Sequence, residues 1–166
     1  MFTNQRFDKW TLNSATLSGL QKLGWEHATQ VQRDTIPIAL SGRDVIGQAR
    51  TGSGKTGAFG IPIIEACQPL GRLQALILTA TRELANQVSQ EIDAVKGDTP
   101  LAIATVYGGT DLEKQARKLS DGVDIIVGTP GRVYDMLKSR ILKTNDLKIF
   151  VIDEADEMLS FGFQEQ

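Results

Sequence analysis

The sequence predicts an α/β protein, a doubly wound and mostly parallel sheet with helices on both faces. Three observations predict it. From residue 44 onward, short apolar runs rich in β-branched residues alternate with longer segments of mixed polarity. The runs are apolar through their middles, as expected of strands covered on both faces. One of the intervening segments carries a helical stripe, Leu84, Val88, Ile92 and Val95, at the spacing of an amphipathic helix.

In chain order, residues 1–43 differ from the rest. They predict a helix at 14–23, a break at Gly24-Trp25 and a second helix near 29–41. Strands follow at Asp44–Gly47, Ala75–Thr79, Leu101–Val106, Asp124–Val127 and Lys148–Ile152. Helices are predicted between them at 55–67, 82–96, 111–120 and 131–139, with Asp111 as the N-cap of the third. There is no internal repeat, low-complexity tract or linker, so the 166 residues predict a single domain with 1–43 as its N-terminal region and 44–166 as its core.

Composition narrows the function. Eighteen basic against 20 acidic side chains give a net charge of −2, and an isoelectric point near 5.4 argues against a generic basic nucleic-acid binder. The single cysteine, Cys67, excludes an intrachain disulfide and fits a reducing cytoplasmic compartment. No apolar run approaches the roughly 18 residues of a membrane span. Met1–Arg6 lacks the apolar stretch of a signal peptide, so neither membrane nor export is expected.

Ligands of open parallel sheets bind where strands end and helices begin, and three segments carry chemistry suited to such places. Ala49-Arg50-Thr51-Gly52-Ser53-Gly54-Lys55-Thr56 follows a predicted strand and opens a predicted helix. It matches the phosphate-loop pattern G-x-x-x-x-G-K-[ST] except for Ala49 at the first position. Glycines let successive backbone N–H groups face phosphate oxygens at a helix N-terminus. Lys55 is then expected to reach the phosphates and Thr56 to hold Mg²⁺. Asp153-Glu154-Ala155-Asp156 follows the run Ile149–Ile152. A carboxylate there suits a phosphate-bound magnesium, and Glu154 suits the polarising of water. Three acids also suit a helix N-terminus with no further role. The third segment, Gly24–Gln32, says little by itself.

Taken together these segments resemble the N-terminal, RecA-like domain of the DEAD-box ATP-dependent RNA helicases. Asp153–Asp156 spells the family's name, and alanine is the family's usual residue at the position of Ala49. Thr81-Arg82-Glu83-Leu84-Ala85 resembles P-T-R-E-L-A, with Ala80 in place of proline. Gly108-Gly109 and Thr129-Pro130-Gly131-Arg132 resemble the paired-glycine and T-P-G-R elements. Gly24–Gln32 is similar to the Q motif, with Trp25 for phenylalanine and Ala28 for proline, and Phe7 stands at the upstream aromatic position.

The resemblance implies a RecA-like P-loop fold that binds ATP with Mg²⁺. It implies that Phe7 stacks on adenine, that Gln32 reads the base edge, and that Ala49, Thr51, Gly52, Ser53, Gly54, Lys55 and Thr56 cradle the phosphates. Asp153 joins Thr56 at the metal, and Glu154 orients the attacking water. Thr81, Arg82, Gly108, Gly109, Thr129, Gly131 and Arg132 are implied to contact RNA. Backbone N–H groups and helix N-termini can bind RNA without excess lysine and without reading bases. The family continues with a S-A-T motif and a second RecA-like domain that supplies arginines to the γ-phosphate. The chain is thus expected to be a piece of a longer helicase, stopping inside or just before a helix at Phe161–Gln166, with weak hydrolysis of its own.

Two other readings share some of these features. A GTPase or small-molecule kinase shares the phosphate loop, but there is no N-K-x-D guanine-reading motif. A non-enzymatic RNA-binding module with a vestigial nucleotide site predicts RNA binding indifferent to ATP and to Glu154→Gln.

Overall fold

A computed structural model describes residues 1–160 and divides them between two compact units, Met1–Ala66 with Glu91–Pro100, and Cys67–Gln90 with the chain from Leu101. The last residues, 161–166, on which the predicted final helix turns, lie outside the described residues.

The first unit carries a two-stranded antiparallel sheet, β1 (Phe2–Arg6) and β2 (His27–Thr29), which the apolar pattern does not announce. Its helices are α1 (Ser14–Lys22), α2 (Gln30–Leu40) and α3 (Lys55–Ala66), close to the predicted spans. Helix α2 opens on a capping box. The Thr29 side chain accepts from Gln32 N, and Gln32 Oε1 accepts from Thr29 N at 2.9 Å. Helix α3 is apolar on nearly every side, with Ala58, Ile61, Ile63 and Ile64 buried, so it is a core helix and not a surface one. Two glycines let α1 approach the chain at Val95–Gly97. A Cβ on Gly19 would lie 2.2 Å from the Val95 carbonyl oxygen, and one on Gly97 would lie 2.3 Å from that of Ala15.

One predicted strand is absent. Residues 43–50 form neither strand nor helix, and Ile46 is fully exposed. An apolar run becomes a strand only when a neighbour completes its hydrogen-bond ladder, and no described strand pairs with Asp44–Gly47.

The second unit is the parallel sheet. Its strands β3 (Ala75–Leu78), β4 (Ile103–Val106), β5 (Ile125–Gly128) and β6 (Ile149–Ile152) lie in the order β4-β5-β3-β6, all parallel. Helices α4 (Arg82–Val95, its last turn in the first unit), α5 (Leu112–Leu119) and α6 (Pro130–Lys138) connect them, and α7 (Ala155–Ser160) follows β6. Asp111 caps α5 as predicted, accepting from Glu113 N at 2.8 Å. The core gathers Leu73, Leu76, Val106, Val123, Ile126, Val133, Met136 and Leu142. On α4 the buried stripe is Ala85, Val88, Ile92 and Val95, with Leu84 only half-buried. Strand β5 is buried throughout, as a doubly covered strand should be. Strand β6 departs from that expectation: it sits at the sheet's edge, and Phe150 is 53% exposed.

Cys67 is buried, and burial pushes its thiol up from an ordinary 9.0 to about 11. The unfolded chain therefore loses this proton first as pH rises, so the group lowers stability between those values. Urea titrations of the wild type and Cys67→Ala should show the wild type losing about 2 kcal/mol relative to the variant across this range. Parallel curves would show that the thiol ionises alike in both states.

Candidate functional site

The loop Ala49–Lys55 turns through glycines in left-handed conformations, Gly52 at φ 74° and Gly54 at φ 89°, and enters α3 at Lys55. Positive φ is open to glycine at little cost. It allows consecutive peptide N–H groups to face one side, where the helix N-terminus adds its positive dipole end. Gln32 reaches this loop: its Nε2 donates to the Gly54 carbonyl at 3.0 Å. One amide thus fastens the start of α2 to the loop, and Gln32 is 2% exposed. The loop also holds an unmet demand. The Ser53 hydroxyl is buried and has no hydrogen-bond partner among the described residues, a state that folded proteins rarely leave without a purpose.

Phe7 is 2% exposed and packs edge-on to Trp10, at 5.6 Å between centroids, and stacks with Trp25 at 6.5 Å. Trp25 in turn covers Gly57, where a Cβ would lie 2.9 Å from its ring. The structure therefore brings Phe7, Trp25, Gln32 and the phosphate-type loop into one unit, with the Phe7 ring occupied by tryptophan.

The second unit gathers the remaining predicted residues for one topological reason. Its four strands are parallel, so their carboxyl ends share an edge. Thr81 and Arg82 follow β3, Gly108 and Gly109 follow β4, Thr129, Gly131 and Arg132 follow β5, and Asp153 and Glu154 follow β6. Thr81 Oγ1 accepts from Leu84 N and so caps α4. Pro130 opens α6, a position where its missing N–H costs nothing. Arg82 lies over the Tyr107 ring at 4.6 Å. Arg132 donates to Gln115 Oε1 at 2.9 Å and to the Thr110 carbonyl at 2.8 Å. A cleft of about 480 Å³ opens among Arg82, Tyr107, Gly108, Thr129, Gly131 and Arg132, with Ala80 and Asp135 also in its lining. Tyr107, Thr110 and Gln115 belong to no motif, and nothing in their sequence context marks them.

Just past the end of β6, Asp153 N donates to the Leu78 carbonyl at 2.9 Å, which fixes the first residue after the strand. Glu154 takes φ 51°, a left-handed conformation that costs a non-glycine residue about 1 kcal/mol or more. Such strain is often found at functional positions. Neighbouring Glu157 is held above the usual carboxylate range, chiefly by sharing a hydrogen bond with Glu154. Lys55 and Thr56 belong to the first unit, and Asp153 and Glu154 to the second.

A glycine loop feeding a helix, together with a parallel sheet whose carboxyl edge carries arginines and carboxylates, defines a P-loop α/β protein of the RecA-like kind. Comparison with known proteins takes this further. Residues 29–166 match the DEAD/DEAH box helicase family, and the chain belongs to that family. It is 45% identical over 158 residues to the DEAD-box ATP-dependent RNA helicase CshA of Bacillus subtilis, covering 95% of this chain and 32% of that protein. Among solved structures it is similar to a DEAD box protein from the hyperthermophile Methanococcus jannaschii, with a TM-score of 0.92 and 42% identity over 96% of this chain and 44% of that one. A hypothetical ATP-dependent RNA helicase from Sulfolobus tokodaii gives a TM-score of 0.84 and 37% identity over 93% and 45%. The chain thus spans about a third of the length of the curated relative. Among the described residues no helix is long and apolar enough to cross a membrane.

Proposed function

We propose that this chain is the ATP- and RNA-contacting N-terminal part of an ATP-dependent RNA helicase of the cytoplasm, whose unwinding activity requires a second RecA-like domain. The observation that carries the proposal is the Ala49–Thr56 loop, with its two left-handed glycines, the helix beginning at Lys55 and the partnerless buried Ser53 hydroxyl. A phosphate chain offers what such a loop lacks, oxygens that accept from its N–H and O–H groups. The residues present fit the nucleotide on that ground.

In this reading Lys55 holds the phosphates, Thr56 and Asp153 hold Mg²⁺, and Glu154 orients the attacking water and accepts its proton. The ion supplies charge neutralisation on the phosphate oxygens when bound. The residues of this chain supply positioning and electrostatics, which make up most of the catalysis in phosphoryl transfer. Adenine is assigned to Gln32 and Phe7. Both are buried against other groups, so the base reaches Phe7 only as the tryptophan packing yields.

RNA is assigned to the carboxyl edge of the parallel sheet. Arg82 and Arg132 supply charge, while Gly108, Gly109, Thr129 and Gly131 supply backbone N–H groups, so the strand is held by its backbone and any sequence suffices. This accounts for nucleic-acid binding by a chain of net charge −2.

The test is titration with a fluorescent ADP analogue and with labelled single-stranded RNA. Lys55→Ala is expected to weaken nucleotide binding by about ten- to a hundredfold, the worth of one charge-assisted hydrogen bond, and to leave RNA affinity alone. Undiminished nucleotide binding would remove the proposed site. Equal affinity for ADP and GDP would point to the GTPase or kinase reading instead.

A further inference from the structure

We infer that Gln115 is the positioning residue of the RNA edge, the side chain that holds Arg132 and the Tyr107–Asp111 loop in one arrangement; the inference rests on the RNA reading above. Helix α5 has no fully buried residue; Leu112 and Leu119 pack on the core only in part, and hydrogen bonds hold its polar side. Gln115 anchors it by hydrogen bonds. Its Nε2 donates to the Tyr107 carbonyl at 3.0 Å and to Thr110 Oγ1, and its Oε1 accepts from Arg132 Nη1 at 2.9 Å. Arg132 Nη2 donates to the Thr110 carbonyl at 2.8 Å, which closes a ring of Thr110, Gln115 and Arg132. The loop inside this ring carries Gly108 and Gly109, and the cleft opens beside it.

The chemistry asks for glutamine in particular. A primary amide donates from one end and accepts at the other, so one planar group can grip a carbonyl and a guanidinium at once. A carboxylate accepts but does not donate at neutral pH. It would also pair with the arginine and neutralise it. Among the described residues Arg132 forms no ion pair, and with two of its five N–H groups engaged three remain for an anionic oxygen. A neutral amide thus fixes Arg132 while leaving its charge for a phosphate. Arg82 lies on the Tyr107 ring, a second contact to the start of the same loop.

The test uses the full chain, a labelled oligouridylate, and the variants Gln115→Leu, Gln115→Glu, Arg132→Ala and Gln115→Leu/Arg132→Ala. Gln115→Leu is expected to bind RNA about tenfold more weakly, as for a lost hydrogen bond to a charged group. The double variant is expected to lose less affinity than the sum of the two single losses, because part of the Gln115 effect passes through Arg132. Gln115→Glu is expected to reduce the log–log salt slope by about one phosphate contact, and Gln115→Leu to change that slope less. In a merely structural role the two losses would add. Additive losses, or wild-type affinity in Gln115→Leu, overturn the inference.

Hydrogen exchange separates this outcome from the RNA reading itself. Should the wild type bind no RNA, the RNA reading fails, while faster exchange in Gln115→Leu confined to residues 107–111 still upholds the strut. Unchanged exchange there overturns it.

Discussion

Replacing Asp124 with alanine is expected to lower the stability of the chain by about 4 kcal/mol, enough to unfold much of it at physiological temperature. Asp124 is 1% exposed, just ahead of β5. Its Oδ1 accepts from Leu70 N at 3.0 Å, Gly71 N at 2.8 Å and Gln74 Nε2 at 3.2 Å, and its Oδ2 accepts from Ala102 N at 2.8 Å. One carboxylate therefore ties together the turn ahead of β3, the residue that begins that strand's pairing and the segment leading into β4. Alanine leaves Gly71 N and Ala102 N without acceptors, while Leu70 N keeps the Gln68 carbonyl and Gln74 Nε2 keeps those of Gln68 and Arg72. Each unpaired donor costs about 1–3 kcal/mol if it stays buried, and partial hydration of the turn at Gly71 reduces the sum. Asp124→Asn keeps one acceptor but turns an NH₂ toward an N–H, and should lose about half as much. Urea denaturation reads both. A loss below about 1 kcal/mol for alanine would mean that water replaces the carboxylate freely.

Gly54→Ala is expected to reduce nucleotide affinity by about a hundredfold while the chain stays folded. The residue has φ 89°, beyond the range in which an L side chain rests. A Cβ there would lie 2.6 Å from Gln32 Nε2 and 3.0 Å from Thr29 Oγ1. The Gln32 amide must swing away, which breaks its bond to the Gly54 carbonyl and disturbs the capping box of α2. The loop then loses both the peptide orientation that faces N–H groups outward and the brace that keeps it. Calorimetric titration with ADP, beside a denaturation curve, separates loss of binding from loss of fold. Gly52→Ala is the control: its φ of 74° is also positive, but nothing stands within 4 Å of the added Cβ. It should cost less. If the two variants behave alike, the brace through Gln32 contributes nothing.

The elements that stand on their own short-range physics were legible in the sequence. Helices α1 to α6 begin and end within two residues of their predicted limits, because caps, glycine breaks and apolar spacing are local signals. Asp111 was recognisable as a cap for the same reason. Strands β3 to β6 were legible as continuous apolar runs. Whether such a run pairs is not a local property, and so Asp44–Gly47 reads as a strand yet finds no partner among the described residues, and β6 reads as doubly covered yet lies at an edge. Strands β1 and β2 escaped because Phe2-Thr3-Asn4-Gln5-Arg6 and His27-Ala28-Thr29 are too polar and too short to show a pattern.

The candidate site divides in the same way. Glycines and arginines in fixed order announce the loop and the sheet edge, since their chemistry is tied to their spacing. The residues that hold them, Gln115, Tyr107 and Thr110, act through contacts made only after folding, and no spacing betrays them. Gln32 shows both sides: its place in a motif is readable, but its bond to the Gly54 carbonyl across 22 residues is not.

The buried thiol of Cys67 also makes the protein its own stopwatch. It is the chain's one sulfhydryl, it is shielded from solvent, and burial keeps it protonated well above neutral pH. An alkylating reagent can therefore consume it only during moments when the surrounding structure opens. The rate of labelling, followed with and without nucleotide or RNA, counts those openings directly and needs no engineered probe.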